Sequence, residues 1–179
     1  MNILVIAAHP HLHQSRANLA LIQELRKQGD FHIRDLYREY PAWHIDVEKE
    51  QRILLQYARI VFQFPFYWYS CPPLLKKWFD DVLTFGWAYG PGGENLLGKE
   101  FMLAITTGGT EASYRSGGDN SYTISEFLRP IEKTLTRCNG ILLPAFVAYG
   151  VKHASAAELT ETAAKYMEFI RSPRAVLVH

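Results

Sequence analysis

Short apolar runs alternate with amphipathic stretches along the whole chain. Residues 3–8, ILVIAA, are continuously apolar, the pattern of a strand buried on both faces. Ala17, Leu21, Ile22 and Leu25 then recur at helical spacing, and Gly29 stops them. FHIRDLY (31–37) alternates as a second strand. Asp46 is placed to cap a helix through VEKEQRILLQYA, with Ile53, Leu54 and Tyr57 on one face. RIVFQFP (59–65) is a third strand, ended by Pro65. CPPLLKKWFDDVL starts a helix at its prolines, with Leu74, Leu75, Trp78, Phe79 and Val82 as the apolar stripe. Lys76 and Lys77 stand four residues before Asp80 and Asp81, a pairing typical of a solvated helix face.

FMLAITTGG (101–109) is a fourth strand running into a glycine turn. Thr123 and Glu126 form a capping box for the next helix. Pro130 inside that helix predicts a kink or a second start, and Asn139-Gly140 predicts its stop. ILLPAFVAYG (141–150) is a fifth strand, with Pro144 in an awkward place. Ser155 and Glu158 make a second capping box for a last helix ending near Pro173.

Strands alternating with helices give an α/β fold: one parallel sheet covered on both faces, here one domain over residues 1–179. Right-handed crossovers leave the order 2-1-3-4-5 as the common five-stranded solution. Ligands in such sheets sit beyond the carboxyl ends of the strands, at the switch point beside strand 1. The loops after strands 1, 3 and 4 are therefore expected to meet: HPHLHQSRAN, PFYWYSCPP and TTGGTEASY.

Composition narrows the partners. The 19 basic and 18 acidic residues leave a formal charge of +1, which gives no electrostatic footprint for nucleic acid. The two cysteines, Cys71 and Cys138, are in no metal or redox spacing and suit a reducing compartment. MNILVIAAHP lacks a basic leader and reads as a first strand, and no apolar run reaches membrane-spanning length, so a cytoplasmic location is expected. His9, His11 and His13 raise a metal site, but Pro10 restrains the loop and a helix starts almost at once, so no metal is assigned.

The three loops suggest one kind of ligand. The first leads into a helix whose open amides suit a phosphate, with Ser15, His9 and Asn18 as further donors. Ser15 is equally placed to be an ordinary helix cap. The second carries the consecutive aromatics Phe66, Tyr67, Trp68 and Tyr69 between Pro65 and Pro72, a rigid edge for a flat heterocycle or plain core and dimer packing. The third, Thr106-Thr107-Gly108-Gly109, lets backbone approach a ligand closely or simply turns, and Tyr114 follows. There is no G-x-G-x-x-G and no phosphate-loop lysine motif. A phosphate at strand 1 and a flat polar ring between the other two loops describe a flavin mononucleotide.

These segments, with GWAYGPGG (86–93), resemble the flavodoxin-like NAD(P)H:quinone oxidoreductase family across nearly the whole chain. Within it they are most similar to the short bacterial branch that includes ancillary subunits of glutathione-regulated potassium-efflux (Kef) systems. The resemblance implies a flavodoxin-like three-layer sandwich, FMN rather than FAD given the short chain, and NAD(P)H as co-substrate. It implies that His9 and Ser15 hold the flavin phosphate, with Ala17 and Asn18 beside them. It gives Pro65, Phe66, Trp68 and Tyr69 to the ring, Thr106, Thr107, Gly108 and Gly109 to the ring-binding turn, and Tyr114 to the reactive face. Tyr89, with Trp87, would line the quinone side. YRSGGDNSY (114–122) lacks a histidine that some members carry after the tyrosine, and Arg115 is the available cation. The family also implies ping-pong hydride traffic and a homodimer closing its sites across the interface.

Two rivals frame that reading. A phosphoacceptor receiver needs acidic residues at the end of strand 1 and an aspartate after strand 3, where this chain has His9-Pro10 and Pro65-Phe66. A regulatory subunit of a membrane potassium-efflux protein, held at the inner membrane face through its partner, is compatible with the sequence; residues 36–46 would be a candidate partner surface.

Overall fold

The computed structural model describes residues 2–177. In chain order it contains β1 (Ile3–Ala7), α1 (Arg16–Gln28), β2 (Phe31–Asp35), α2 (Leu36–Glu39), α3 (Val47–Leu55), β3 (Arg59–Pro65) and α4 (Pro73–Val82). β4 (Glu100–Thr106), α5 (Ile124–Arg137), β5 (Ile141–Leu142), β6 (Phe146–Ala148), α6 (Ala156–Arg171) and α7 (Arg174–Leu177) follow. The strands run parallel in the order β2-β1-β3-β4-β5, with β6 also beside β4. This is the flavodoxin-like three-layer arrangement expected from the alternation.

The continuous apolar strands divide their side chains between two cores. Leu4, Ile6, Ile60, Phe62 and Phe64 face one cluster, packed with Leu54 of α3, Trp78 and Phe79 of α4 and Leu128 of α5. Ile3, Val5, Val61 and Met102 face the other, with Leu21 and Leu25 of α1 and Tyr166 and Ile170 of α6. Period-two alternation within a fully buried strand places successive residues on opposite layers.

Three local expectations change. The second strand ends at Asp35, because its carboxylate accepts the Arg38 amide and caps α2. No second start occurs at Pro130: α5 runs continuously through it, with Pro130 on the exposed face and Leu128, Ile131 and Leu135 on the buried one. The fifth strand is split. β5 pairs with Glu100 and Phe101, and β6 with Ala104 to Thr106. Pro144, between them, has no amide to give the ladder.

Two buried charged groups tie elements together. Glu50, 1 % exposed, accepts from the Arg34 guanidinium, from Tyr40 Oη at 2.5 Å and from Trp78 Nε1 at 3.0 Å. Arg59, fully buried, donates to Glu100 at 2.8 Å and to the carbonyls of Ile170 (2.7 Å) and Ser172 (2.8 Å) at the end of α6. Both predicted capping boxes form, as do both Lys–Asp pairs on α4.

Candidate functional site

The carboxyl ends of β1, β3 and β4 meet around a buried polar stitch. Asn18, 2 % exposed, donates through Nδ2 to Thr106 Oγ1 at 2.8 Å and to Ser15 Oγ at 3.2 Å. Gln63 Nε2 reaches the Asn18 carbonyl at 3.2 Å, while its Oε1 is buried without a partner among the described residues. One residue from α1 thus locks the first loop to β3 and β4.

Ser15 is the cap of α1, accepting from the Asn18 amide at 3.3 Å. The Arg16 and Ala17 amides above it engage no acceptor among the described residues. Open amides at a helix start carry partial positive charge and suit an anion. His9 Nδ1 accepts the His11 amide at 3.0 Å, which leaves Nε2–H as a donor. Half-burial, and then the neighbouring His11, hold the His9 imidazole below its ordinary range, which favours its neutral form.

After β3 the Phe66 amide donates to the Thr106 carbonyl at 2.8 Å, and Tyr67 to Ser70 close a tight turn through a 3.0 Å bond. Trp68 and Tyr69, its central residues, have φ of 46° and 63°. The left-handed region costs a side-chain-bearing residue about 1–2 kcal/mol. Trp68 is 92 % exposed, so no packing of its own offsets that cost. The strain leaves the Trp68 and Tyr69 amides without acceptors among the described residues.

After β4, Thr107 Oγ1 and Tyr114 Oη lie 2.7 Å apart, and the Gly109 amide donates to the same Oγ1 at 3.3 Å. The glycines differ in role. A Cβ on Gly109 would lie 2.8 Å from Tyr114 Cε2 and 2.9 Å from Ser113 Oγ, so any side chain there would crowd the tyrosine ring. A Cβ on Gly108 meets only Lys152 Cβ, at 3.5 Å.

Of the predicted residues, His9, Ser15, Ala17, Asn18, Pro65, Phe66, Thr106 and Gly108 line one cleft of about 350 Å3. Phe66, Trp68, Tyr69 and Tyr114 border a smaller hollow of about 210 Å3, and Phe66 is common to both. Thr107 and Gly109 stand behind Tyr114 as its support. Trp87 and Tyr89 are elsewhere. They belong to the segment between the end of α4 and the start of β4, at the opposite rim, where Tyr89 meets Arg137 at 6.0 Å. Arg115 lines a broader groove of about 1100 Å3 with Tyr114 and Tyr149.

The sequence reading missed a fourth segment. The Gly150 amide donates to the Gly109 carbonyl at 2.8 Å and the Val151 amide to Thr107 at 3.1 Å, which brings Val151 and Lys152 into the cleft wall. Arg16 Nη2 pins the same segment through the Ala154 carbonyl at 2.8 Å. Phe127 was also missed: it stacks on Tyr69 at 5.0 Å and meets Phe66 at 5.7 Å. Its signal was its place one turn after a cap on the helix that follows the glycine loop.

Among the described residues no group of three or more His, Cys, Asp or Glu is arranged to hold a metal ion. No described helix is long and apolar enough to cross a membrane. The cleft offers open amides and a lysine, and the adjoining hollow an aromatic wall with strained amides, which together suit an anion joined to a flat polar ring.

Comparison with known proteins agrees with that geometry. The chain is 48 % identical over 172 residues to a Bacillus subtilis protein named uncharacterized NAD(P)H oxidoreductase YrkL, covering 96 % of this chain and 99 % of the relative. It is 40 % identical to the glutathione-regulated potassium-efflux system ancillary protein KefG of Cronobacter sakazakii, covering 96 % and 93 %. The crystal structure of general stress protein 14 from Treponema denticola, in complex with FMN, superposes with a TM-score of 0.91 at 38 % identity, over 95 % of this chain and 98 % of that one. The family defined by the flavodoxin-like fold matches residues 1–170, and the chain belongs to it.

Proposed function

We propose that the protein is an NAD(P)H oxidoreductase that carries FMN in the cleft and reduces a quinone-type acceptor. The observation that carries this is the convergence on one rim of unspent donors: the Arg16 and Ala17 amides at one end, the Trp68 and Tyr69 amides at the other. The relatives support it through their names, and the Treponema denticola structure through its bound FMN.

The donor set fits the cofactor. The start of α1, the Ser15 hydroxyl, His9 Nε2–H and Lys152 would hold the phosphate. Phe66 and the strained turn would hold one edge of the ring. FMN, when bound, supplies two-electron chemistry between a nicotinamide and a quinone. The protein's own part is to place donors and exclude water. With Thr107 donating to Tyr114 Oη, the tyrosine proton is free to hydrogen-bond negative charge at the ring edge. Asn18 and Thr106 are spent on each other and act by fixing the loops. Nicotinamide and acceptor would use one slot in turn, which gives ping-pong kinetics.

Trp87 and Tyr89, at the far rim, would reach a cleft only in a second copy, so we propose a homodimer with Trp68 and Phe85 among its exposed aromatics. The test is direct. Purified protein should be yellow or bind added FMN, run as a dimer, and oxidise NAD(P)H when a soluble quinone is added. Colourless protein that refuses FMN would end the reading. The likeness to KefG favours a second role as a regulatory subunit at the inner membrane face. Co-purification with a co-expressed Kef-type efflux protein tests it separately from catalysis.

A further inference from the structure

The segment between α4 and β4 is folded tightly on itself. The Gly86 amide donates to the Tyr89 carbonyl at 2.8 Å, and the Asn95 amide and Nδ2 both reach the Trp87 carbonyl, at 3.3 and 2.9 Å. Ala88 and Leu96 are fully buried and pin the segment to the core. Gly90 has φ of 79°, and a Cβ there would lie 2.5 Å from Phe85 Cε2, so a side chain would displace the Phe85 ring. The product is a fixed aromatic wall. Phe85, 68 % exposed, stands edge-on to Tyr89 with ring centres 5.8 Å apart.

Arg137 closes one end of that wall. It is the last residue of α5, and its guanidinium lies 6.0 Å from the centre of the Tyr89 ring. Arg34, Arg59 and Arg171 all hold carboxylates. Arg137 is exposed and makes no ion pair and no side-chain hydrogen bond among the described residues. Its N–H fork is unspent and fits a carboxylate or sulfonate. The neighbouring rings offer their faces to a flat partner. Together they match a planar ring that carries a negative charge. Arg115, the cation that the sequence offered for the site, instead shares its groove with Glu111 and Glu132. In the dimer proposed above, the wall covers the cleft of the second copy, and Arg137 arrives with Tyr89.

We infer that Arg137 sets the acceptor class: the cleft it covers selects quinones bearing a carboxylate or sulfonate over neutral ones. The inference rests on the oxidoreductase and dimer readings above. Two flat, redox-inert probes of similar shape isolate the charge. In calorimetry the FMN-loaded protein should bind naphthalene-2-sulfonate about fivefold more tightly than the neutral naphthalene-2-sulfonamide, the worth of one charge-assisted contact. Arg137→Gln should abolish that advantage and Arg137→Lys should restore part of it, with urea denaturation checking that both variants fold. Turnover should follow. In ping-pong kinetics kcat/KM for the acceptor reports the acceptor half-reaction alone, so the charge of the nicotinamide drops out. The ratio of kcat/KM for 1,4-naphthoquinone-2-sulfonate to that for 1,4-naphthoquinone should fall about fivefold in Arg137→Gln. Equal affinity for the two probes, an advantage that survives Arg137→Gln, or a monomeric parent protein would overturn the inference and leave the oxidoreductase reading standing. If neither quinone is reduced, the oxidoreductase reading falls, and the probe titration still decides whether Arg137 selects a charged ring.

Discussion

Two polar regions of this fold spend their hydrogen-bonding capacity in opposite ways. Beside β2, Glu50 is enclosed and saturated by Arg34, Tyr40 and Trp78. At the carboxyl rim, Ser15, Asn18, Thr106 and Gln63 bond one another beneath the surface, Gln63 Oε1 stays without a partner among the described residues, and the amides above them stay open. The first arrangement removes a charge from water and must be complete to be tolerated. The second builds a rigid floor and leaves the layer above it free for something else.

Substitutions can break or sharpen that contrast. Glu50→Ala leaves the buried Arg34 with only the more exposed Glu39, 3.3 Å away, and should cost about 3 kcal/mol in urea denaturation. FMN affinity of the molecules that remain folded should hardly move, since the network touches no cleft residue. Gly109→Ala drives a methyl into Tyr114 and should cost about 1–3 kcal/mol, as overpacking does. Unlike Glu50→Ala, it should also weaken FMN binding in a flavin fluorescence titration. Ser15→Ala removes the α1 cap, worth about 1 kcal/mol, and should reduce FMN affinity by a larger factor than that stability loss alone explains.

Trp68→Gly should leave stability within about 1 kcal/mol of the parent, on the favourable side, because glycine accepts the left-handed turn freely. Quinone-dependent turnover should fall nevertheless; unchanged turnover would mean that the exposed indole serves neither the site nor an interface. The smallest effect concerns pH. The His9 imidazole is held below the ordinary histidine value of 6.5 in the folded chain, so the unfolded chain takes up the proton first. Its contribution to stability is intact above that value and declines as the pH falls below it. A His9→Gln variant should show a flatter acid limb.

Much of this was readable from residue types. The strand pattern, both capping boxes and the meeting of the loops after β1, β3 and β4 follow from periodicity and from right-handed crossovers. Gln63 stands between Phe62 and Phe64 in RIVFQFP with nothing local to mark its role, and its partner Asn18 lies 45 positions away. The split of β5 from β6 needed the partner strand: Pro144 announced a problem, and only the pairing with β4 shows which positions are skipped. Val151 and Lys152 carry no motif, and they reach the cleft through backbone bonds that residue type does not encode. Nor does residue type show that a side chain at Gly109 would meet the Tyr114 ring.

The guanidinium of Arg59 has a practical corollary. By gathering the last carbonyls of α6 it acts as a bolt at the amino-terminal start of the central strand β3, opposite the cleft. Trimming the chain back past Ser172 would leave that bolt without a socket. Affinity handles fused beyond it should be harmless to the chemistry at the other end.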